Sequence, residues 1–249
     1  MKIDTHCHID QFPHPLTTVE AVERARVATV AVTNLPSHYV AGRPHVQHRR
    51  YMRLALGLHP LAAKDHAREL ASFLRLANEA DYFGEVGLDF SREGAQTKDI
   101  QINSFRCVAK CLAQRHRFAT LHARGAEVEV LKILNEHQVG PVIFHWFTGG
   151  EAELEQVLAA GHYVSVNPAM ALSNRWGRLF VLVPIERVLT ETDGPHVQVR
   201  GCPADPAKIT EVLRWLAQRW MVDPSAAEAQ VDANYQRLRS TWPKHGTNR

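Results

Sequence analysis

Asp4-Thr5-His6-Cys7-His8 sets two histidines either side of a cysteine. In an extended strand, side chains alternate, so Asp4, His6 and His8 share one face and Cys7 takes the other. Two imidazoles on one side of a strand end supply half of a metal site. Cys7, facing away, is not expected to bind the same ion. Three further apolar runs and one glycine-flanked run end in residues able to bind a cation. Gly84-Glu85-Val86-Gly87-Leu88-Asp89 carries a carboxylate where backbone can approach closely, and the two oxygens of Glu85 could bridge two ions. Leu121-His122-Ala123-Arg124, Phe144-His145-Trp146-Phe147 and Thr190-Glu191-Thr192-Asp193-Gly194-Pro195 complete the set. Any one of these could be a satisfied core histidine, a salt-bridge partner or a helix cap. Together, His6, His8, Glu85, His122, His145 and Asp193 stand at matching ends of five strands, which argues for one shared centre.

Imidazole nitrogens with carboxylate oxygens suit Zn²⁺, Mn²⁺ or a mixed pair, whereas Mg²⁺ normally takes more oxygen and water ligands. Two divalent ions are therefore the expected cofactors. Asp193 and Glu85 are the expected catalytic carboxylates, Asp193 as acceptor of the nucleophile's proton. His59, in Ala55-Leu56-Gly57-Leu58-His59-Pro60, has the same placement. It would support a ligand or touch substrate, with a purely structural role left open. Arg124, two residues past His122, could hold a phosphate in its guanidinium fork or form an ordinary ion pair. Trp146 and Phe147 could stack a base or pack in the core.

The elements that must position these residues alternate along the chain. Strands are predicted near Lys2–His8, Val27–Thr33, Arg53–Leu58, Tyr82–Val86, Ala119–His122, Pro141–His145, His162–Val166 and Arg187–Thr190. Helical periodicity is clearest over Ala67–Ala77, Lys98–Arg115, Glu127–His137, Glu151–Ala160 and Arg175–Leu182. Pro206–Arg219 and Pro224–Arg239 follow, each opened by proline with Asp205 or Asp223 as N-cap. Ser37–His48 reads as loop plus a short helix. Eight strand–helix units favour an α/β fold closed as a (β/α)₈ TIM barrel, whose catalytic residues gather at the C-terminal strand ends.

The length of 249 residues fits one such barrel, so residues 1–249 are expected to form a single domain, with the last few as a disordered tail. A net charge of +3 permits an anionic substrate without demanding one. Cys7, Cys107, Cys111 and Cys202 match neither a zinc nor a disulfide pattern. Cys107 and Cys111 are expected on one buried helical stripe. The first residues lack the apolar core of a signal peptide, and no run is long enough to span a bilayer. A cytoplasmic location with reduced thiols is the expectation.

These segments closely resemble the TatD family of metal-dependent deoxyribonucleases. The resemblance rests on Asp4 to Asp10, Gly57 to Pro60, Gly84 to Asp89, His122 to Arg124, His145 to Gly149 and Thr190 to Pro195, with Asn234 to Leu238 late in the chain. It implies a barrel in which His6, His8, Glu85 and Asp193 hold one metal. Glu85 then bridges to a second metal bound by His122 and His145. It also implies hydrolysis of DNA phosphodiesters, on single strands or from an end. The sequence departs from the family after the final Asp-x-Pro, where His196 replaces a common Tyr. Arg200-Gly201-Cys202-Pro203 stands where a basic Asn-Glu-Pro segment is usual. Ser165 to Met170 and Thr192 to His196 are more similar to the divergent TatD-like proteins of Qat-type antiphage defence clusters. That similarity implies a protein partner in a defence complex. Two alternatives stay open: an amidohydrolase-type enzyme acting on a small molecule or modified base, and a non-catalytic subunit that keeps the barrel.

Overall fold

The computed structural model describes residues 1–115 and 117–242; the expectation about the final residues lies outside them. Nine strands build the barrel wall: β1 (Ile3–Cys7), β2 (Ala28–Ala31), β3 (Met52–Leu54), β4 (Leu56–Leu58), β5 (Tyr82–Asp89), β6 (Phe118–Arg124), β7 (Ile143–Phe144), β8 (Tyr163–Val166) and β9 (Val188–Thr190). Every ladder among them is parallel, in the order β1-β2-β3 and β4-β5-β6-β7-β8-β9. Helices α1 (Pro15–Ala25), α2 (Pro36–Val46), α3 (His66–Leu76), α4 (Lys98–Gln114), α5 (Glu127–Glu136), α6 (Glu151–Ala159), α7 (Pro168–Leu172), α8 (Asn174–Leu179), α9 (Thr210–Trp220) and α10 (Pro224–Ser240) surround the wall. Strand and helix alternate as the sequence requires of an α/β barrel.

The third barrel strand is not the single run expected. It breaks at Ala55, leaving β3 paired with β2 and β4 paired with β5. The cause is a close approach. A Cβ on Gly57 would lie 1.5 Å from the carbonyl oxygen of Thr33, so only glycine lets this strand press against the chain leaving β2. Ala55 N–H still donates to Ala31 O at 2.8 Å, which keeps the wall continuous. The circle closes without a regular ladder between β9 and β1. Thr5 Oγ1 donates to Thr190 O at 3.0 Å, and Asp193 N–H donates to His6 O at 2.9 Å.

Other boundaries also differ. β5 and β6 run further toward the barrel mouth than expected, to Asp89 and Arg124, while β7 is only two residues long. Ser37–His48 lies mostly in α2, started by Pro36 in its first turn and carrying Pro44 near its end. The expected Arg175–Leu182 helix is broken into α8 and a 3₁₀ turn at Phe180–Leu182. Asp205 caps as expected, accepting from Ala207 N–H at 2.8 Å; Asp223 makes no side-chain cap bond. Cys107 and Cys111 are half-buried at the edge of α4's packed stripe, which is formed by Phe105, Val108, Ala109 and Leu112.

Two apolar clusters support the wall. The large one contains the strand interiors and most helix faces, and Cys7 belongs to a smaller one with Ile9, Val19, Val22 and Met52. Cys7 thus packs away from the mouth, as alternation demands. Under the barrel, Asn234 Nδ2 donates to Ile185 O at 2.7 Å and Val188 O at 2.8 Å, tying α10 to the start of β9. No helix among the described residues is long and apolar enough to cross a membrane.

Candidate metal centre

His6 sits on β1 and His8 just beyond it; Glu85 and His122 lie on β5 and β6; His145 and Asp193 follow β7 and β9. The barrel brings all six to one mouth. Glu85, nearly fully buried, is their hub. Its Oε2 lies 3.0 Å from His8 Nε2, 3.5 Å from His6 Nε2 and 3.2 Å from His59 Nε2. Its Oε1 lies 2.5 Å from His122 Nδ1 and 3.1 Å from His145 Nε2. One carboxylate therefore faces five imidazoles, with a different set at each oxygen. Asp193 Oδ1 stands 3.8 Å from His6 Nε2 and 3.7 Å from His8 Nε2.

Among the described residues, three overlapping groups bring possible ligand atoms close enough to hold an ion: His6 with His8 and Asp193, His6 with Glu85 and His145, and His59 with Glu85 and His122. Asp193 Oδ1 is buried without a hydrogen-bond partner among the described residues, an arrangement costly for a carboxylate unless a cation satisfies it. The donor set is nitrogen and oxygen only, which fits a borderline divalent ion. The residues present therefore fit the metals that the sequence implies. His59 comes closer than expected: it joins one of the three groups, while its Nδ1 accepts from Leu61 N–H at 3.1 Å.

Local backbone aims the ligands. Asp193 adopts φ 50°, a left-handed conformation that aspartate tolerates better than most residues. Asp4, on the face of β1 shared with His6, does not join the cluster. Its carboxylate accepts from Thr192 N–H at 3.0 Å and Thr192 Oγ1 at 2.5 Å, bracing β1 against the segment that carries Asp193.

The charge balance is uneven. Burial opposes ionisation of Glu85, yet the imidazoles of His59, His145 and His122 hold it well below the usual carboxylate range. Burial pushes Asp193 up to about 7 despite the pull of His145 and His8. Burial also pulls His122 down, but Glu85 and the hydrogen bond to Asp89 outweigh it and push it up to about 9. His6 falls well below the ordinary imidazole range through burial and the proximity of His145.

Several supporting residues were not among the sequence candidates. Asp89 Oδ2 lies 2.7 Å from His122 Nε2, and Glu191 Oε1 lies 3.5 Å from His145 Nδ1. Thr120 Oγ1 stands 2.8 Å from His6 Nδ1, and the Gln11 amide 3.1 Å from His8 Nδ1. Period-two alternation carries a signal for the two acids: Asp89 shares a strand face with Glu85, and Glu191 stands two residues before Asp193.

The rim is mixed. Arg124 is exposed at the end of β6, with no carboxylate in ion-pair range among the described residues. Trp146 is half-buried, but Phe147 is buried at 4% exposure against Trp176, which removes it from any role in stacking a substrate base. His196 is exposed, with its ring edge-on to His8 at 4.7 Å between centroids. Beyond it, a short antiparallel ribbon of β10 (Gln198–Val199) and β11 (Cys202–Pro203) turns through Arg200 and Gly201, both at positive φ.

Known proteins share this sequence and shape. A 3′-5′ ssDNA/RNA exonuclease TatD of Cronobacter sakazakii is 31% identical over 197 residues, covering 73% of this chain and 74% of that protein. An uncharacterised metal-dependent hydrolase of Methanocaldococcus jannaschii is 25% identical over 223 residues, covering 87% and 88%. The fold matches the crystal structure of a TatD family hydrolase from Entamoeba histolytica with a TM-score of 0.84, at 16% identity and covering 95% of this chain and 97% of that one. It matches a TatD homologue from Escherichia coli with a TM-score of 0.77, at 20% identity and the same coverage. The family described as TatD related DNase matches residues 3–240. With that span matched, the chain belongs to the TatD family and is a metal-dependent hydrolase.

Proposed function

We propose that the protein hydrolyses phosphodiester bonds in DNA, on single strands or from an end, using two divalent cations. His6, His8, Glu85 and Asp193 would hold one; Glu85, His122 and His145 would hold the other. Zn²⁺, Mn²⁺ and Mg²⁺ are the candidates. Such ions, when bound, acidify water from a pKa of about 15.7 toward about 7 and offset charge on a phosphoryl group. The observation that carries the reading is Glu85, whose two oxygens face two different imidazole sets. The exonuclease named among the relatives supports a nucleic-acid substrate.

The chain's own residues divide the remaining work. Asp193, besides lending Oδ1 to the first ion, would accept a proton from the attacking water through its second carboxylate oxygen. Arg124, exposed at the mouth and unpaired among the described residues, would grip a phosphate with its planar fork. His59, beside Glu85, would contact substrate. Trp146, half-buried at the mouth, keeps part of its ring available to a base. The resemblance of Ser165 to Met170 and of Thr192 to His196 supports a defence role with a protein partner, and the four free cysteines suit a reducing cytoplasm.

The test is a labelled single-stranded oligonucleotide incubated with purified protein and Mn²⁺, with chelator as control. Metal-stimulated cleavage is expected, with at least about a 100-fold loss in His122→Ala and Asp193→Asn and unchanged circular dichroism. Full activity in both variants would sink the assignment. Cleavage of amide or lactone substrates but not DNA would favour the small-molecule hydrolase instead.

A further inference from the structure

An imidazole binds a cation through one nitrogen, and the partner of the other nitrogen fixes its tautomer and basicity. The four candidate histidine ligands differ sharply in that partner. His6 is backed by the Thr120 hydroxyl at 2.8 Å and His8 by the Gln11 amide at 3.1 Å, both neutral. His122 presents Nδ1 to Glu85 and turns Nε2 to the Asp89 carboxylate at 2.7 Å. His145 presents Nε2 to Glu85, and its buried Nδ1 lies 3.5 Å from the Glu191 carboxylate, a charge contact without a hydrogen bond among the described residues.

Both backing carboxylates are fully buried and fixed by other donors. Asp89 Oδ1 accepts from Ser91 N–H at 2.8 Å. Glu191 Oε1 accepts from Trp146 N–H at 3.0 Å and Asn167 Nδ2 at 3.1 Å, and its Oε2 accepts from Ser165 Oγ. These bonds hold each carboxylate in place whether or not the histidine is there. They turn each one toward a ligand imidazole.

We infer that Asp89 and Glu191 are positioning residues for only one of the two cation positions, the one between His122 and His145. This rests on the two-cation reading. Asp89, by its hydrogen bond, holds the proton on the outward nitrogen of His122, and the negative charge of Glu191 beside His145 Nδ1 favours the proton there, so both rings keep the inward lone pair for the ion. The position at His6, His8 and Asp193 has no such backing and is insensitive to their removal.

The experiment measures bound Zn²⁺ per full-length chain by elemental analysis, across a series of competing chelator concentrations. The wild-type chain is expected to hold two ions. Asp89→Asn and Glu191→Gln, which keep size but remove charge, are expected to weaken one ion about 10- to 100-fold and leave the other unchanged. Asp89→Glu is expected to retain the second ion, and it carries the test if Asp89→Asn does not fold. In a His8→Ala background, which retains one ion, adding Asp89→Asn is expected to release it, while adding Thr120→Val is not. A merely structural role would lower the melting temperature of the metal-free chain and weaken both ions together. That result, or unchanged affinities in both variants, would overturn the inference. A wild-type chain that binds no divalent ion would instead overturn the two-cation reading itself.

Discussion

His6 and His145 stack face to face, with ring centroids 3.8 Å apart and planes 11° apart. One comes from the first barrel strand and the other from the end of β7, so their contact spans the mouth. The stack gives the two imidazole sets a common wall, and Glu85 lies against both rings. Disturbing this hub should act on the whole cluster, whereas changes at the rim should act on substrate alone.

Glu85→Gln removes the carboxylate shared by both sets. Bound metal should fall from two ions per chain to one or none, with at least about a 100-fold loss of activity. Elemental analysis of gel-filtered protein checks this. Two retained ions would mean that Glu85 is not the bridge.

His59→Ala separates substrate contact from metal binding. We expect bound metal to remain at two ions and kcat/KM on an oligonucleotide to fall about tenfold, or about 1.4 kcal/mol in transition-state stabilisation. Loss of an ion in this variant would make His59 a ligand of the group it forms with Glu85 and His122.

Arg124→Ala removes from the end of β6 an exposed cation that is unpaired among the described residues. KM for single-stranded DNA should rise, and the slope of log affinity against log salt should become shallower by about 0.7. Identical salt dependence in variant and wild type would place the phosphate elsewhere.

His162, at the opposite end of the barrel from the candidate metal ligands, offers a pH test. Burial, helped by Arg187, pulls its imidazole down to about 4 from an ordinary value near 6.5. The unfolded chain therefore binds a proton between pH 4 and 6.5 that the folded chain refuses. Stability should fall as pH drops through that window, by about 3 kcal/mol at most. His162→Asn keeps an acceptor for Val142 N–H, which now donates to His162 Nδ1 at 3.3 Å. Urea unfolding from pH 4 to 7 should show a shallower slope in the variant; equal slopes would contradict this origin of the acid sensitivity.

Much of this arrangement was legible in the sequence because a barrel strand announces both its face and its end. His6, Glu85 and His122 lie in the C-terminal parts of their strands and His8, His145 and Asp193 just past theirs, and parallel strands carry all these ends to one side. Asp89 and Glu191 were open to the same alternation argument, but a carboxylate's partner depends on the neighbouring strand, which a single sequence does not reveal. The break at Ala55 was out of reach for a similar reason. It goes with Gly57 meeting Thr33, two residues 24 positions apart that only the folded chain brings together. Phe147 turned inward because Trp146, at φ 36°, diverts the chain just after His145.

The hydrogen bond from Asp193 N–H to His6 O joins residues from the first and last barrel strands. A chain emerging from the ribosome exposes His6 and His8 with β1, but it meets Asp193 only after β9 has been made. No nascent fragment ending before that point can assemble the full ligand set. Whatever hydrolysis these six residues support can begin only after β9 and the segment beyond it have been made.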